Sequence, residues 1–555
     1  MATIDLGNIR INWRGPYDNA ASYVRDDAVS YQGSSFIAKG DVTGVTPIQS
    51  DDWDTLAAGT DQLTQEGDLL IHNGTIPTRL ARGNNAQVLQ MIGNQPAWRD
   101  QSLDPSRRVW KLAKVNGLGG WYTRVYLMAD GTIKACGYGG NYSNGDPNGS
   151  HIYLPNRVAT ENPDIRFVDV FSGGMQHYAL TADGEVWSWG YNNYGQLGHG
   201  DTVNRAVAKR IEFFVQNNIQ IANIIPGRPN YYDHACAYFL TTDGRVYSCG
   251  HNSNGNLGNG TSAHQYTPVR CGSLVDIVDV SVSGLPHTVY AVQDNGALWV
   301  WGYNAQGQLG LGDTTNRQTP ILHASINTAV KAVASCGYRT DGASPTGHGL
   351  VLLSDGSIWS AGYNGYGQLG HGDTTNRTSF SQISHSHSDS FVDIFAGDGR
   401  YPSSGGITDQ GEVYLWGNNG YGQLGTGNTT NQLSPFKPGG SFQGDVSRVR
   451  VGGGASYEGV IIQSGDELWA AGYSGNANIG INSTAGTNNT FQRVLGQSGI
   501  IEDWDCFGQG TSAWGLGVLY DDGRVDACGE NNSYGETGTQ SGNLHDVKTL
   551  KNVIF

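Results

Sequence analysis

The sequence predicts an all-β fold, a β-propeller of seven or eight four-stranded blades with eight preferred, preceded by a small N-terminal β module. A short apolar strand running into a glycine recurs eight times, at Gly137, Gly190, Gly250, Gly302, Gly362, Gly417, Gly472 and Gly529. The spacings of 53, 60, 52, 60, 55, 55 and 57 residues are those of one supersecondary unit repeated. Tight-turn dipeptides precede the marks, as at Asp183-Gly184, Asp243-Gly244, Asp355-Gly356 and Asp522-Gly523, so two strands flank each hairpin turn. Repeated units of short antiparallel strands expose many edges unless the array closes radially.

Within a unit, the strand before the hairpin is expected over 177–181 and 287–292, and an upstream strand over 167–171 and 277–282. A fourth strand follows the Gly-Gln-Leu-Gly turn and ends near Pro268 or Pro320. Leu197, Leu309, Leu369 and Leu424 are expected to plug the blades. Only 206–222 offers helical spacing. The most regular copies read EVWSWGYNNYGQLGHGDTVNR (Glu185 to Arg205) and ALWVWGYNAQGQLGLGDTTNR (Ala297 to Arg317). This pattern resembles the repeat of the regulator of chromosome condensation family, most specifically at Trp189-Gly190, Trp301-Gly302 and Trp416-Gly417. The resemblance runs from Val109 to Phe555 and implies a propeller with blades of this length. It decays where Cys136, Cys249, Ala471 and Cys528 stand before the glycine. The segment Leu550 to Phe555 looks like the opening strand of a further unit, placed to close the ring against the first blade.

Residues 1–59 form a separate aromatic module, with Trp13, Tyr17, Tyr23, Tyr31, Phe36 and Trp53 on short strands around a miniature three-stranded core. Together with Asp27, Val29, Gly33, Ala38 and Pro47, they resemble small chitin- or cellulose-binding modules, which recur in glycosidases and in phage tail fibres. Flat aromatic faces suit the apolar side of a pyranose. Residues 60–104 form a collar: Gly67-Asp68-Leu69-Leu70, Arg79-Leu80-Ala81, Gly83, Gln87-Val88-Leu89, Pro96 and Trp98 resemble a linker motif of phage tail fibres. Two short strands with a turn bury little alone, and such segments typically associate, so a homotrimer is expected. The propeller is assigned to 105–555.

Glycine at 82 residues and charged residues at 15% fit turn-dense β structure. A net charge of -16 argues against nucleic acid or an anionic membrane as partner. The chromatin and nucleotide-exchange roles of the eponymous family member are therefore not carried over. No apolar secretory segment opens the chain and no run of eighteen apolar residues interrupts it, so synthesis in the cytoplasm without membrane insertion is expected. The seven cysteines have no metal-ligand spacing and read as buried structural thiols.

No catalytic constellation, metal site or cofactor is expected. His385 and His387 lack a third ligand fixed by sequence, and the recurring aspartates Asp201, Asp313 and Asp373 belong to turns. The regular Tyr-Asn-Gly segments, among them Tyr191, Tyr194, Tyr303, Tyr363, Tyr366, Tyr421 and Tyr473, read first as blade-to-blade packing and second as recognition material. Irregular insertions are the better binding candidates: Arg228, Tyr231 and Tyr232; Tyr338 and Arg339; Arg400 and Tyr401. In the N-terminal module the candidates are Trp13, Tyr17, Tyr31 and Trp53. The expected function is that of a non-enzymatic phage tail or fibre protein in the virion. Residues 1–100 would contact other tail proteins, and propeller loops a host glycan or protein. A free-standing glycan-binding adhesin is the alternative, and a polysaccharide-degrading propeller stands behind it.

Overall fold

A computed structural model describes residues 123–555 except 228–234, 285–286, 327–328, 339–345, 386–387, 398–400, 440–441, 443–444, 454–457, 475–478, 482, 484–485, 498, 508–514, 530–546 and 554–555. Before residue 123 it describes little beyond the strands. The chain divides into two compact units, Met1–Pro105 and Ser106–Phe555.

The second unit is an eight-bladed propeller. Blade 4 shows the plan: strands Ile277–Val282, Thr288–Gln293, Leu298–Gly302 and Arg317–Leu322 pair antiparallel in sequence order, from the channel outward. These bounds match the expected strands to within a residue or two. The first strands of the repeating four in the eight blades are Val109–Leu112, Asp169–Ser172, Ile221–Pro226, Ile277–Val282, Val330–Tyr338, Phe391–Ala396, Val446–Gly453 and Ile501–Phe507. Each runs beside the next, and the eighth lies beside the first, which settles the count at eight.

Closure differs from the sequence expectation. The last strand, Val547–Asn552, pairs antiparallel with Val525–Gly529 as the outermost strand of its own blade and does not complete blade 1. Each of these two blades is thus built from one contiguous stretch of chain. Their seam is side-chain packing of Leu112, Tyr126 and Met128 with Leu519, Val525 and Val553, joined by a hydrogen bond from the buried Arg124 Nη2 to Leu516 O (3.1 Å). Blade 2 carries an extra inner strand, Lys114–Val115, parallel to Phe171–Ser172. Among the described residues helix is confined to a five-residue turn, Glu212–Gln216, which adds Phe214 to the apolar layer between blades 2 and 3, and to the short 3₁₀ turn Gly140–Tyr142.

The repeated turn is a wedge between blades. Leu197, Leu309, Leu369 and Leu424 are fully buried, as expected of plugs. In these four turns and in the equivalent turn of blade 3, around the buried Leu257, the glycine two residues after the Leu-Gly pair donates its N–H to a backbone carbonyl in the next blade's outer strand. These bonds are Gly200 to Tyr266 (2.8 Å), Gly260 to Gln318 (2.9 Å), Gly312 to Thr378 (2.8 Å), Gly372 to Leu433 (2.7 Å) and Gly427 to Asn489 (2.7 Å). Contact is close enough to require glycine: at Gly307 (φ +81°) a Cβ would stand 2.5 Å from Thr378 Cα. The turn's own frame is an asparagine. Asn364 Oδ1 accepts from Leu369 N–H (2.8 Å), while its Nδ2 donates to Asp373 O (2.9 Å). Asn364→Ala should therefore cost about 2–3 kcal/mol, because it orphans buried backbone groups. Urea titration of the purified variant reads this directly, and a loss under 0.5 kcal/mol would mean that the turn is framed by something else.

In the first unit, a five-stranded sheet orders Thr3–Asp5, Arg10–Pro16, Asp27–Tyr31, Ser34–Ala38 and Trp53–Ala57, with Arg10–Pro16 and Asp27–Tyr31 parallel. The expected three-stranded core is thus too small, since the N-terminal Thr3–Asp5 and the parallel pairing escape a reading based on hairpins. Residues 60–104 hold two hairpins, Leu69–His72 with Pro77–Leu80 and Gln87–Ile92 with Gln95–Asp100, where the sequence suggests one pair of strands. No helix among the described residues is long and apolar enough to cross a membrane.

Candidate recognition face

Antiparallel order places the connections between first and second strands on the same face as the Gly-Gln-Leu-Gly turns. The irregular insertions singled out from sequence, 226–233, 338–341 and 398–401, fall along the chain between the first and second strands of blades 3, 5 and 6, and most of their residues lie outside the described ones. Arg228, Tyr231, Tyr232, Arg339 and Arg400 lie outside the described residues, and Tyr338 is placed only as the last residue of its strand. Tyr401 is described. It is half-buried and meets Tyr366 of blade 5 edge-on, with ring centroids 5.6 Å apart. In the first unit, Trp13, Tyr31 and Trp53 lie on three strands of one sheet, and Tyr17 lies outside the described residues.

The structure brings aromatic groups together where neighbouring blades meet on this face. Tyr194 of blade 2 packs edge-on against His251 (5.3 Å) and His264 (5.1 Å) of blade 3. Tyr421 of blade 6 packs against Tyr473 of blade 7 (5.6 Å), and Tyr366 also meets Tyr363 (6.2 Å). Tyr194, Tyr366, Tyr421 and Tyr473 are half-buried, so each ring packs across a seam and still presents surface, while the half-buried Tyr363 packs within its own blade. Packing and recognition, set against each other by the sequence, are compatible for the same side chain.

Two histidines of this face were missed from sequence. In blades 2, 4, 5 and 6 an asparagine Oδ1 accepts the N–H of the residue two past the strand-ending glycine: Asn204 from Asn192, Asn316 from Asn304, Asn376 from Asn364 and Asn431 from Asn419. In blade 3 the acceptor is His264 Nδ1 (3.0 Å from Asn252 N), and in blade 1 it is His151 Nδ1 (3.1 Å from Gly139 N). The constant separation of twelve residues was the available signal. Accepting at Nδ1 holds the imidazole neutral with its proton on Nε2. Burial pushes the His264 pKa down from its usual value.

The turn aspartates pair with the arginine four residues on: Asp201–Arg205 (2.7 Å), Asp313–Arg317 (2.6 Å) and Asp373–Arg377 (2.9 Å). Hydrogen bonds from these guanidiniums hold the carboxyls low, Asp201 at about 2. The aspartates of the channel go the other way. Asp279 and Asp393 are accessible but hemmed in by protein, and desolvation raises both pKa values. Among the described residues no three His, Cys, Asp or Glu side chains gather to hold a metal. His385 packs edge-on against Phe391, and His387 lies outside the described residues. All seven cysteines are buried and unpaired with one another.

An eight-fold ring of four-stranded blades wedged by Gly-Gln-Leu-Gly turns defines a repeat propeller, and the chain belongs to the regulator of chromosome condensation (RCC1) repeat family. Models described as "Regulator of chromosome condensation (RCC1) repeat" match residues 183–223, 243–289, 295–340, 355–399 and 410–457, and a second one 167–196. Among its relatives is the ultraviolet-B receptor UVR8 of Arabidopsis thaliana, 30% identical over 332 residues that cover 60% of this chain and 70% of the receptor. The human E3 ubiquitin-protein ligase HERC2 is 26% identical over 398 residues, covering 68% of this chain but only 8% of the ligase. Among solved structures, yeast RCC1 (Prp20) bound to Kap60 superposes with a TM-score of 0.51 at 17% identity, over 77% of this chain and 96% of that one. Prp20p of Saccharomyces cerevisiae, described with its binding to Gsp1p and histones, gives 0.50 at 17% identity over 73% and 92%.

Proposed function

We propose that the chain is a non-enzymatic binding protein of a bacteriophage tail or fibre, held in the virion through residues 1–100 and contacting the host surface with the loop face of its propeller. The observation that carries the reading is the order along the sequence: an aromatic module, then the segment from Gly67-Asp68-Leu69-Leu70 to Pro96 and Trp98 that resembles fibre linkers, then the propeller. The face described above supports it, because half-exposed tyrosines of several blades gather on one side of the ring. A protein receptor fits the family, since the yeast propeller is described with Gsp1p, histones and Kap60. A homotrimer is part of the reading and rests on the collar segment alone.

Adsorption competition tests it. The soluble chain should block attachment of the parent phage, and Tyr366→Ala with Tyr401→Ala should weaken the block about tenfold or more, the loss expected for two interface aromatics, while circular dichroism stays unchanged. A chain that neither blocks adsorption nor assembles onto tails sinks the proposal. Retention on polysaccharide beads that disappears in a Trp13→Ala, Tyr31→Ala, Trp53→Ala triple variant would favour the adhesin instead.

A further inference from the structure

The seam between blades 1 and 2 lacks a part present elsewhere. In blade 4, Trp301 Nε1 donates to the carbonyl of Asn256 in the preceding blade's turn (2.7 Å), and in blade 6, Trp416 Nε1 donates to Gln368 O (2.8 Å). Blade 6 goes further, since Ser404, paired in register with Trp416, also donates to Gln368 O (3.0 Å). Blade 1 has no Gln-Leu-Gly in its turn, and Asn144 folds that turn on itself by donating to Gly137 O (3.0 Å) and Ser150 O (2.8 Å).

The side chains that would have used the missing carbonyl are still there. Ser172, His177 and Trp189 are cross-strand partners in register, so they project from one face of blade 2. It is the face whose Val170, Ala179 and Trp187 pack on Val125, Leu127 and Ala135 of blade 1. The His177 ring stacks on Trp189 with centroids 5.3 Å apart. All three residues are at most 3% exposed. Among the described residues, Ser172 Oγ, both ring nitrogens of His177 and Trp189 Nε1 have no protein partner.

We infer that this seam is a binding site for ordered water, which replaces the absent carbonyl between blades 1 and 2. An indole N–H supplies one donor, a neutral imidazole one donor and one acceptor, and a hydroxyl either role. Water bridging two to four such groups is the usual way in which a buried polar cluster is satisfied. The extra strand Lys114–Val115, parallel to Phe171–Ser172, covers the channel side of the ladder at Ser172.

The test compares the same truncation at two seams. Trp189→Phe and Trp301→Phe remove the same atoms, but the partner of Trp301 Nε1 is known. With water bound, both variants lower the folding equilibrium constant by similar factors, a shared cavity cost plus about tenfold for the lost hydrogen bond. If the Trp189 N–H is dry and unpartnered, Trp189→Phe lowers the constant by only the cavity cost, about tenfold less than Trp301→Phe does, which overturns the inference. As a second measurement on the unmodified chain, nuclear Overhauser contacts from long-lived water to the Trp189 indole proton should be present. Their absence alongside a clear indole signal likewise overturns it.

Discussion

Lowering the pH from 7.5 to 4.5 should remove several kcal/mol of stability from the propeller, chiefly through its buried histidines. His177 and His348 are fully buried, and burial depresses both pKa values to about 3. His199 follows to about 3 and His371 to about 4, for the same leading reason. The sign follows from linkage. Below about 6.5, the ordinary value, the unfolded chain takes up protons that the folded chain refuses, so stability falls until the folded values near 3 are reached. Two pH units into that window, each fully buried histidine costs roughly 2.7 kcal/mol, or about 5 kcal/mol for the pair. That is a large fraction of the roughly 5–15 kcal/mol that holds a typical domain together. Asp279, Asp393 and Asp505, with raised pKa values, oppose the trend, because there the folded state binds protons first. Urea midpoints measured from pH 7.5 to 4.5 should fall steadily. In a His177→Val, His348→Val variant the slope should be visibly shallower, and a flat profile for the unmodified chain would refute the assignment of neutral buried imidazoles.

Leu309→Ala should destabilise the chain by about 3–4 kcal/mol, the upper half of the range for a buried leucine that cannot be replaced by local collapse. Leu309 is fully buried and packs with Tyr290, Val300 and Phe380, joining blade 4 to blade 5. The surrounding turn is fixed by the Asn304 and Gly312 hydrogen bonds, so the backbone has little freedom to follow the missing side chain. Thr314→Ala, an exposed change in the same turn, should stay within about 0.5 kcal/mol. Equal effects for the two variants would show that the leucine is not a plug.

Much of this architecture could be read before any coordinates because the repeat states the same packing problem several times. Leu197, Leu309, Leu369 and Leu424 recur in register, so their common role as plugs was visible. Blade number was less so, since seven and eight units differ only in how the ring shuts. The decisive strand, Val547–Asn552, has no repeat partner downstream to compare with. On the recognition face, the tyrosines were legible as a set but not their pairing across seams, which depends on the rotation from one blade to the next. His151 and His264 escaped because they substitute chemically for asparagine without resembling it; only the hydrogen bond they accept reveals the equivalence. The irregular insertions carry no periodic constraint, and sequence alone could mark them only as departures.

The contiguity of blades 1 and 8 has a mechanical consequence. A load applied through residues 1–100 enters the ring at Val109, in the innermost strand of blade 1. The seam on one side of that blade is bound by side-chain packing and the Arg124 bond, with no ladder of interstrand bonds to be sheared. Under tension the ring would then part at the seams beside blades 1 and 8, where no wedge bond is seen among the described residues, and open like a split washer, leaving blades 2 to 7 locked by their wedges. A tether pulled from the opposite side of the ring would meet no such joint.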